Sequence, residues 1–339
     1  MTRPREADPK RSTEAGKRRR RLWHSAASAL WPPSRPTPLV ASLVSIAVLG
    51  AFAAWIINAP PIPAPSAPEP IPVAPSTNIV STLSPDRARG LKPKDSFTEC
   101  SSCPQMIVVP PGSFTMGSPA SEPKRFPTEG PQHTVTFARP FAVQQFALTF
   151  EEWDACAVEH GCNGYKPSDQ GWGRRRQPVI NVSWNDAQAY VAWLSKKTGK
   201  SYRLLTEPEY EYATRAGMQT AYPWGNDIGE GNANCDGCGS RWDFKQTAPV
   251  GSFAANAFGL YEMVGDVWAW TEDCWHGDYT GAPADGSAWK TGNCMLRVVR
   301  GGSWDDLSGN VRSARRNWDR SDDRSNNLGF RVGLTLLPP

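Results

Sequence analysis

The stretch whose reading decides the fold is Arg300-Gly-Gly-Ser-Trp304. It stands in a fixed order with three other blocks. Upstream are Arg203-Leu-Leu-Thr-Glu-Pro-Glu-Tyr-Glu-Tyr-Ala-Thr-Arg-Ala-Gly217 and Ala257-Phe-Gly-Leu-Tyr-Glu-Met-Val-Gly-Asp-Val-Trp-Ala-Trp270; downstream is Asn327-Leu-Gly-Phe-Arg331. Between Gly217 and the C-terminus Gly, Asn, Asp, Trp and Pro dominate, with short strands expected at Leu296–Arg300 and Phe330–Leu336. Twelve of the fifteen tryptophans lie beyond residue 99. Their large surfaces can build a core where regular elements are scarce.

Before Gly217 the pattern is more regular. Met106-Ile-Val-Val-Pro-Pro-Gly-Ser-Phe-Thr-Met-Gly117 reads as strand, turn and strand. Thr149-Phe-Glu-Glu152 is a capping box that opens a helix to about His160. Ser183 caps a second helix that Gly199 ends, and Thr206 with Glu209 opens a third, with Pro208 in its first turn. The fold class expected from these elements is α+β, rich in irregular loops.

In this order the four blocks resemble the formylglycine-generating enzyme (sulfatase-modifying factor) family, over roughly Met106 to Leu336. The resemblance implies a C-type-lectin-like fold and a substrate cleft at Ser303, Trp304 and Arg316. The family activity is oxidation of a sulfatase cysteine to formylglycine, at two cysteines that hold copper. Those two positions are Asp306 and Val311 here. Copper is therefore not expected, because Cu(I) prefers soft thiolates and one hard carboxylate cannot replace two of them. An iron site of the kind found in related sulfoxide synthases would need histidines, and His133, His160 and His276 show no ligand spacing. Asp306 beside Ser303 could act as a general base, but no histidine completes a nucleophilic triad.

Calcium is the cofactor that the resemblance leaves open. One site would use Asn234 and Asp243 side chains with backbone oxygens of Cys235 and Lys245. A second would use Glu262 with the carbonyls of Gly265 and Val267, weakened because its last ligand is Ala269. Arg312, Arg315, Arg316 and Arg320 are interleaved with Asp305, Asp306, Asp319, Asp322 and Asp323. They read equally as a groove for an extended peptide or anion and as a mutually neutralising salt-bridge network.

Residues 1–36 hold ten Lys/Arg against three acidic residues, a net of +7. The whole chain carries +4, which leaves −3 for residues 37–339. The basic balance belongs to the tail, so the globular part is not read as a nucleic-acid binder. Residues 37–58 contain Leu39–Asn58, twenty residues without a charge. That length spans a hydrocarbon core of about 30 Å as a helix and exceeds the apolar run of a cleaved signal peptide. With Lys17–Arg21 before it, positive-inside bias makes it a signal anchor with a cytoplasmic tail and an exported C-terminal domain. Residues 59–98 read as a linker, with eight prolines in Ala59–Pro75, and 99–339 as the domain.

All eight cysteines follow the apolar segment. They fall into near pairs: Cys100 with Cys103, Cys156 with Cys162, Cys235 with Cys238, and Cys274 with Cys294. An even count on the exported side points to disulfides rather than to a four-cysteine zinc site or a redox pair. The expectation is a periplasmic protein anchored in the inner membrane of a bacterium, which binds or modifies a peptide or protein without the two-cysteine copper site. Its rivals are an oxidase with another metal site and a non-catalytic ligand-binding module. A reporter fused before Arg35 should be cytoplasmic and one fused after Pro75 exported; the reverse pattern would overturn this topology.

Overall fold

The computed structural model describes residues 83–336. The basic tail, the apolar segment and the proline-rich stretch lie outside the described residues, and among the described residues no helix is long and apolar enough to cross a membrane. The chain is α+β. Its helices are α1 (Pro85–Gly90), α2 (Phe150–Val158), α3 (Trp184–Thr198) and α4 (Glu207–Arg215). Its strands are β1 (Ser96–Phe97), β2 (Met106–Val109), β3 (Gly112–Met116), β4 (His133–Phe137), β5 (Phe141–Gln144), β6 (Tyr202–Leu204), β7 (Trp268–Trp275), β8 (Asn293–Arg300), β9 (Arg316–Arg320), β10 (Leu328–Phe330) and β11 (Val332–Thr335).

The three capping boxes form as the sequence predicts. Thr149, Ser183 and Thr206 each accept the amide of the residue three positions on, and Glu152, Asp186 and Glu209 return a carboxylate to the cap amide. Gly199 ends α3 in the left-handed region at φ 70°.

Disulfides pin the parts that have little regular structure. Cys100 is joined to Cys103 just after β1, and Cys156 on α2 is joined to Cys162 in the turn that follows it. Cys235 is joined to Cys238 within one loop. Cys274 on β7 is joined to Cys294 on β8, across the antiparallel pair. All four pairs are those expected from nearness in the sequence.

β2 and β3 flank the expected turn but join different sheets. β2 lies in a five-stranded sheet of order β1-β2-β5-β11-β6, whereas β3 pairs only with β4. A second sheet has the order β10-β7-β8-β9, with β10 parallel to β7 and the other pairs antiparallel.

The predicted strand at Phe330–Leu336 is broken at Arg331. Phe330 ends the parallel pairing with β7, and Val332 begins antiparallel pairing with β6 while Gly333 starts that with β5. The Arg331 guanidinium points inward between the two, donating to the carbonyls of Gln144, Gln145, Tyr261 and Glu262. A buried arginine saturated by carbonyls thus fixes where the chain leaves one sheet for the other. The main core fills the space between α2, α3 and the sheets with Trp153, Tyr190, Trp270 and Phe330.

The linker reading of 59–98 does not hold for its last part. Leu83, Ala88 and Phe97 are buried in the main core, and β1 pairs with β2. Three spaced apolar residues suffice to dock a segment whose average composition is polar. Phe97→Ala should lower the unfolding free energy by roughly 3–5 kcal/mol in a denaturant titration; a change below about 1 kcal/mol would show that the segment is not docked.

Candidate functional site

β8 delivers Arg300 to the interior and then turns through Gly301 (φ 98°) and Gly302 (φ 76°). A Cβ at Gly301 would lie 2.5 Å from the Tyr210 hydroxyl, and one at Gly302 would lie 2.6 Å from Val311 Cγ1. Both conformation and space demand glycine here. Ser303 follows, buried. Its hydroxyl lies 2.6 Å from Asp306 Oδ2 and 2.7 Å from Asp305 Oδ1. Asp306 Oδ2 also accepts the Ser303 amide at 3.1 Å and the Trp268 indole N–H at 2.7 Å, while Asn327 donates to Asp305.

One hydroxyl carries one proton, so it cannot donate to both carboxylates at once. The second short oxygen–oxygen contact is favourable only when a carboxyl contributes a proton. Burial, and then the neighbouring Asp305 charge, push the Asp306 carboxyl up. The loop is a compact, hydrogen-bonded cluster of hard oxygen atoms. Around it stand Trp304, packed edge-on against Trp172, and the more exposed Phe244 and Leu307.

The arginines that follow take the second of the two roles open to them. Arg312 is buried between Glu122 and Glu129. Arg316 is wholly buried and gives Nε and Nη2 to Glu207 at 2.7 and 2.8 Å, and Nη1 to the carbonyls of Thr128 and His276. All three of its nitrogens are already hydrogen-bonded and none is exposed, so it does not line an open cleft as expected. Arg320 pairs with Asp322 at the surface. Arg315 alone faces the site, with its guanidinium over the Phe126 and Trp268 rings.

Beneath the loop, Arg300 donates to Glu211 and to the carbonyls of Ser313, Ala314 and Arg315. Burial alone would raise the Glu207 carboxyl, but the Arg316 and Arg300 charges hold it below its ordinary range. Asp273 accepts the amides of Glu207 and Trp289, and burial, reinforced by the Glu207 charge, pushes it up to about 7.

The sulfatase-modifying factor enzyme 1-like domain matches residues 92–335. This chain belongs to that family. A formylglycine-generating enzyme of Thermomonospora curvata is 31% identical over 295 residues, covering 68% of this chain and 94% of that protein. A bovine protein named inactive C-alpha-formylglycine-generating enzyme 2 is 36% identical over 182 residues, covering 49% of this chain and 54% of its own length. The solved structure of PvdO from Pseudomonas aeruginosa superposes with a TM-score of 0.67 at 43% identity, over 73% of this chain and all of that one.

Set against this family's chemistry, the site does not fit a thiolate-held copper ion. Val311 is buried in an apolar cluster with Ala221, Tyr222 and Val264. No cysteine is left free to replace the missing pair. Cys100 and Cys103, Cys156 and Cys162, Cys235 and Cys238, and Cys274 and Cys294 are all spent in disulfides, so no thiol adjoins Ser303. These eight residues are therefore structural cross-links and not ligands or nucleophiles of the site.

Several of the oxygens expected to hold calcium are hydrogen-bonded within the protein. Asn234 Oδ1 accepts the Ser240 hydroxyl at 2.8 Å, and the Asp243 oxygens accept the Gly237 and Gly239 amides at 2.8 Å. Cys235 is tied to Cys238, and Lys245 closes a turn onto the Trp242 carbonyl. Glu262 accepts the amides of Gly251 and Phe253, and the Gly265 carbonyl takes the Val267 amide. No group of three or more His, Cys, Asp or Glu able to hold a metal occurs among the described residues.

Sequence reasoning missed Trp268 as the donor to Asp306, and it missed Asp266. The latter is 1% exposed; Oδ1 accepts the Ala248 amide and the Asn234 amide, while Oδ2 has no partner. Burial pushes its carboxyl up to about 7. Only its position inside the Ala257–Trp270 block could have drawn attention to it. Because the folded pKa exceeds the unfolded one, this group stabilises the fold at low pH and the stabilisation is lost as pH rises through about 7. Asp266→Asn keeps the acceptor and removes the charge. It should therefore raise the unfolding free energy at pH 8 by ~1–3 kcal/mol and by less at pH 5. Denaturant titrations at the two pH values check this; a variant less stable at pH 8 would refute it.

Proposed function

We propose that this chain is an exported, membrane-anchored member of the family that has exchanged copper-based cysteine oxidation for peptide or protein binding at the Ser303 loop. The observation that carries the reading is that the positions of the expected thiol pair hold Asp306, which accepts the Ser303 hydroxyl, and Val311, which is sealed in an apolar cluster. The exposed Phe244 and Leu307 beside the half-buried Trp172 supply apolar contacts for an extended ligand, while the Asp305–Ser303–Asp306 unit offers acceptors to its amides. Modification of such a ligand by proton transfer is within the reach of a raised carboxyl held against a hydroxyl. Four disulfides in the domain support export to an oxidising compartment. The apolar segment at 37–58 supports the anchor, and the cytoplasmic basic tail fits a bacterial inner membrane with the domain in the periplasm.

The test is Cu(I) competition with a chelator on the full-length protein, together with oxygen uptake on adding a cysteine-containing peptide. Neither stoichiometric copper nor oxygen consumption is expected. The double variant Asp306→Cys with Val311→Cys should bind Cu(I) roughly tenfold or more tightly than the wild type, in a thiol-dependent way. Copper bound one-to-one by the wild type, with oxygen consumed, would overturn the proposal.

A further inference from the structure

A cavity of about 160 Å³ lies against the Leu260–Val264 segment and takes no part in the chemistry described above. Its walls are Trp224, Phe253, Ala257, Leu260, Met263 and Val264. Each wall is fixed from behind. The Trp224 indole N–H donates to the carbonyls of Asp227 and Ile228, and Phe253 packs edge-on against Trp242 at 6.0 Å. Asn256 holds the loop that carries Ala257, by donating to the carbonyls of Ala213 and Thr214 and accepting the amides of Phe258 and Leu260. A pocket braced in this way does not have to be organised by its ligand, which removes part of the entropic cost of binding.

Size and chemistry narrow the occupant. An apolar cavity of roughly 150 Å³ accepts a benzene-sized ring. Two aromatic walls favour a ring over a branched alkyl group. No basic side chain lines the space, and Glu262, held in the wall by the amides of Gly251 and Phe253, places an acidic group there. An anionic ring is disfavoured and a neutral one is admitted.

Two contacts tie the cavity wall to the chain that follows the Ser303 loop. Tyr222 stacks on Trp224 at 5.6 Å and donates its hydroxyl to the Ser308 carbonyl, one residue beyond Leu307. Val264 lines the cavity and belongs to the same buried cluster as Val311. We infer that this cavity is a specificity pocket for one neutral, phenyl-sized side chain of the ligand that lies across the Ser303 loop. The inference rests on the peptide-binding reading above for the identity of the ligand, but the pocket is testable without any peptide.

Ligand-observed fluorine NMR on the full chain, with 4-fluorobenzamide as the neutral probe and 4-fluorobenzoate as the anionic one, addresses the pocket directly. Saturable binding of the benzamide is expected, with the benzoate weaker. Ala257→Leu, which fills the space, and Phe253→Ala, which removes a wall, should each weaken the benzamide by roughly tenfold. Absence of saturable binding, benzoate bound as tightly as benzamide, or affinity unchanged in both variants would overturn the pocket. Any of those results with the wild type still free of copper would leave the reading of the Ser303 loop standing, so the two failures are distinguishable.

Discussion

A buried lattice of arginines and glutamates underlies the candidate site. Glu207 and Glu211 project from one helix, α4, and take Arg316 and Arg300 from two adjacent strands, β9 and β8. Glu211 also accepts Arg215 and the Gly117 amide. Such pairs contribute little net stability over apolar packing, but removing one partner strands a charge in a dry interior. The lattice therefore works as a registration device. It fixes the end of β8, from which Gly301, Gly302 and Ser303 leave, relative to the helix that closes the interior.

The same constraint explains why Arg316 is not a ligand-binding arginine. A guanidinium has five donors in a rigid fork, and here both faces of the fork are matched by Glu207 and by two backbone carbonyls. Every polar atom that it could offer is already used. What the loop presents instead is a set of hydrogen-bonded oxygens. Soft-metal chemistry needs polarisable sulfur; hard carboxylates and a hydroxyl suit hydrogen bonding and proton transfer. Asp306 and Val311 offer no sulfur at these two positions, while the family scaffold remains.

Much of the scaffold is legible because its signals are local. A capping box needs four residues, a disulfide between near neighbours such as Cys156 and Cys162 needs two cysteines, and both form as expected. The docking of Leu83, Ala88 and Phe97 is not legible, because burial depends on what lies opposite and not on average polarity. The break in the strand at 330–336 escapes the sequence for a similar reason. Only the carbonyls of distant segments, at Gln144 and Tyr261, show why Arg331 must point inward.

The amino-acid order alone determined the family, the α+β class, the cysteine pairing and the absence of sulfur at positions 306 and 311. All of these are matters of residue identity and short spacing. Tertiary structure alone decided which charges face each other across more than a hundred positions, as Arg316 faces Glu207. It decided that Asn234 and Asp243 are hydrogen-bonded within their own loop, and that Tyr222 stacks on Trp224 while its hydroxyl reaches the Ser308 carbonyl. Hydrogen-bond satisfaction and desolvation depend on the whole surroundings of an atom, and a linear sequence does not state those surroundings.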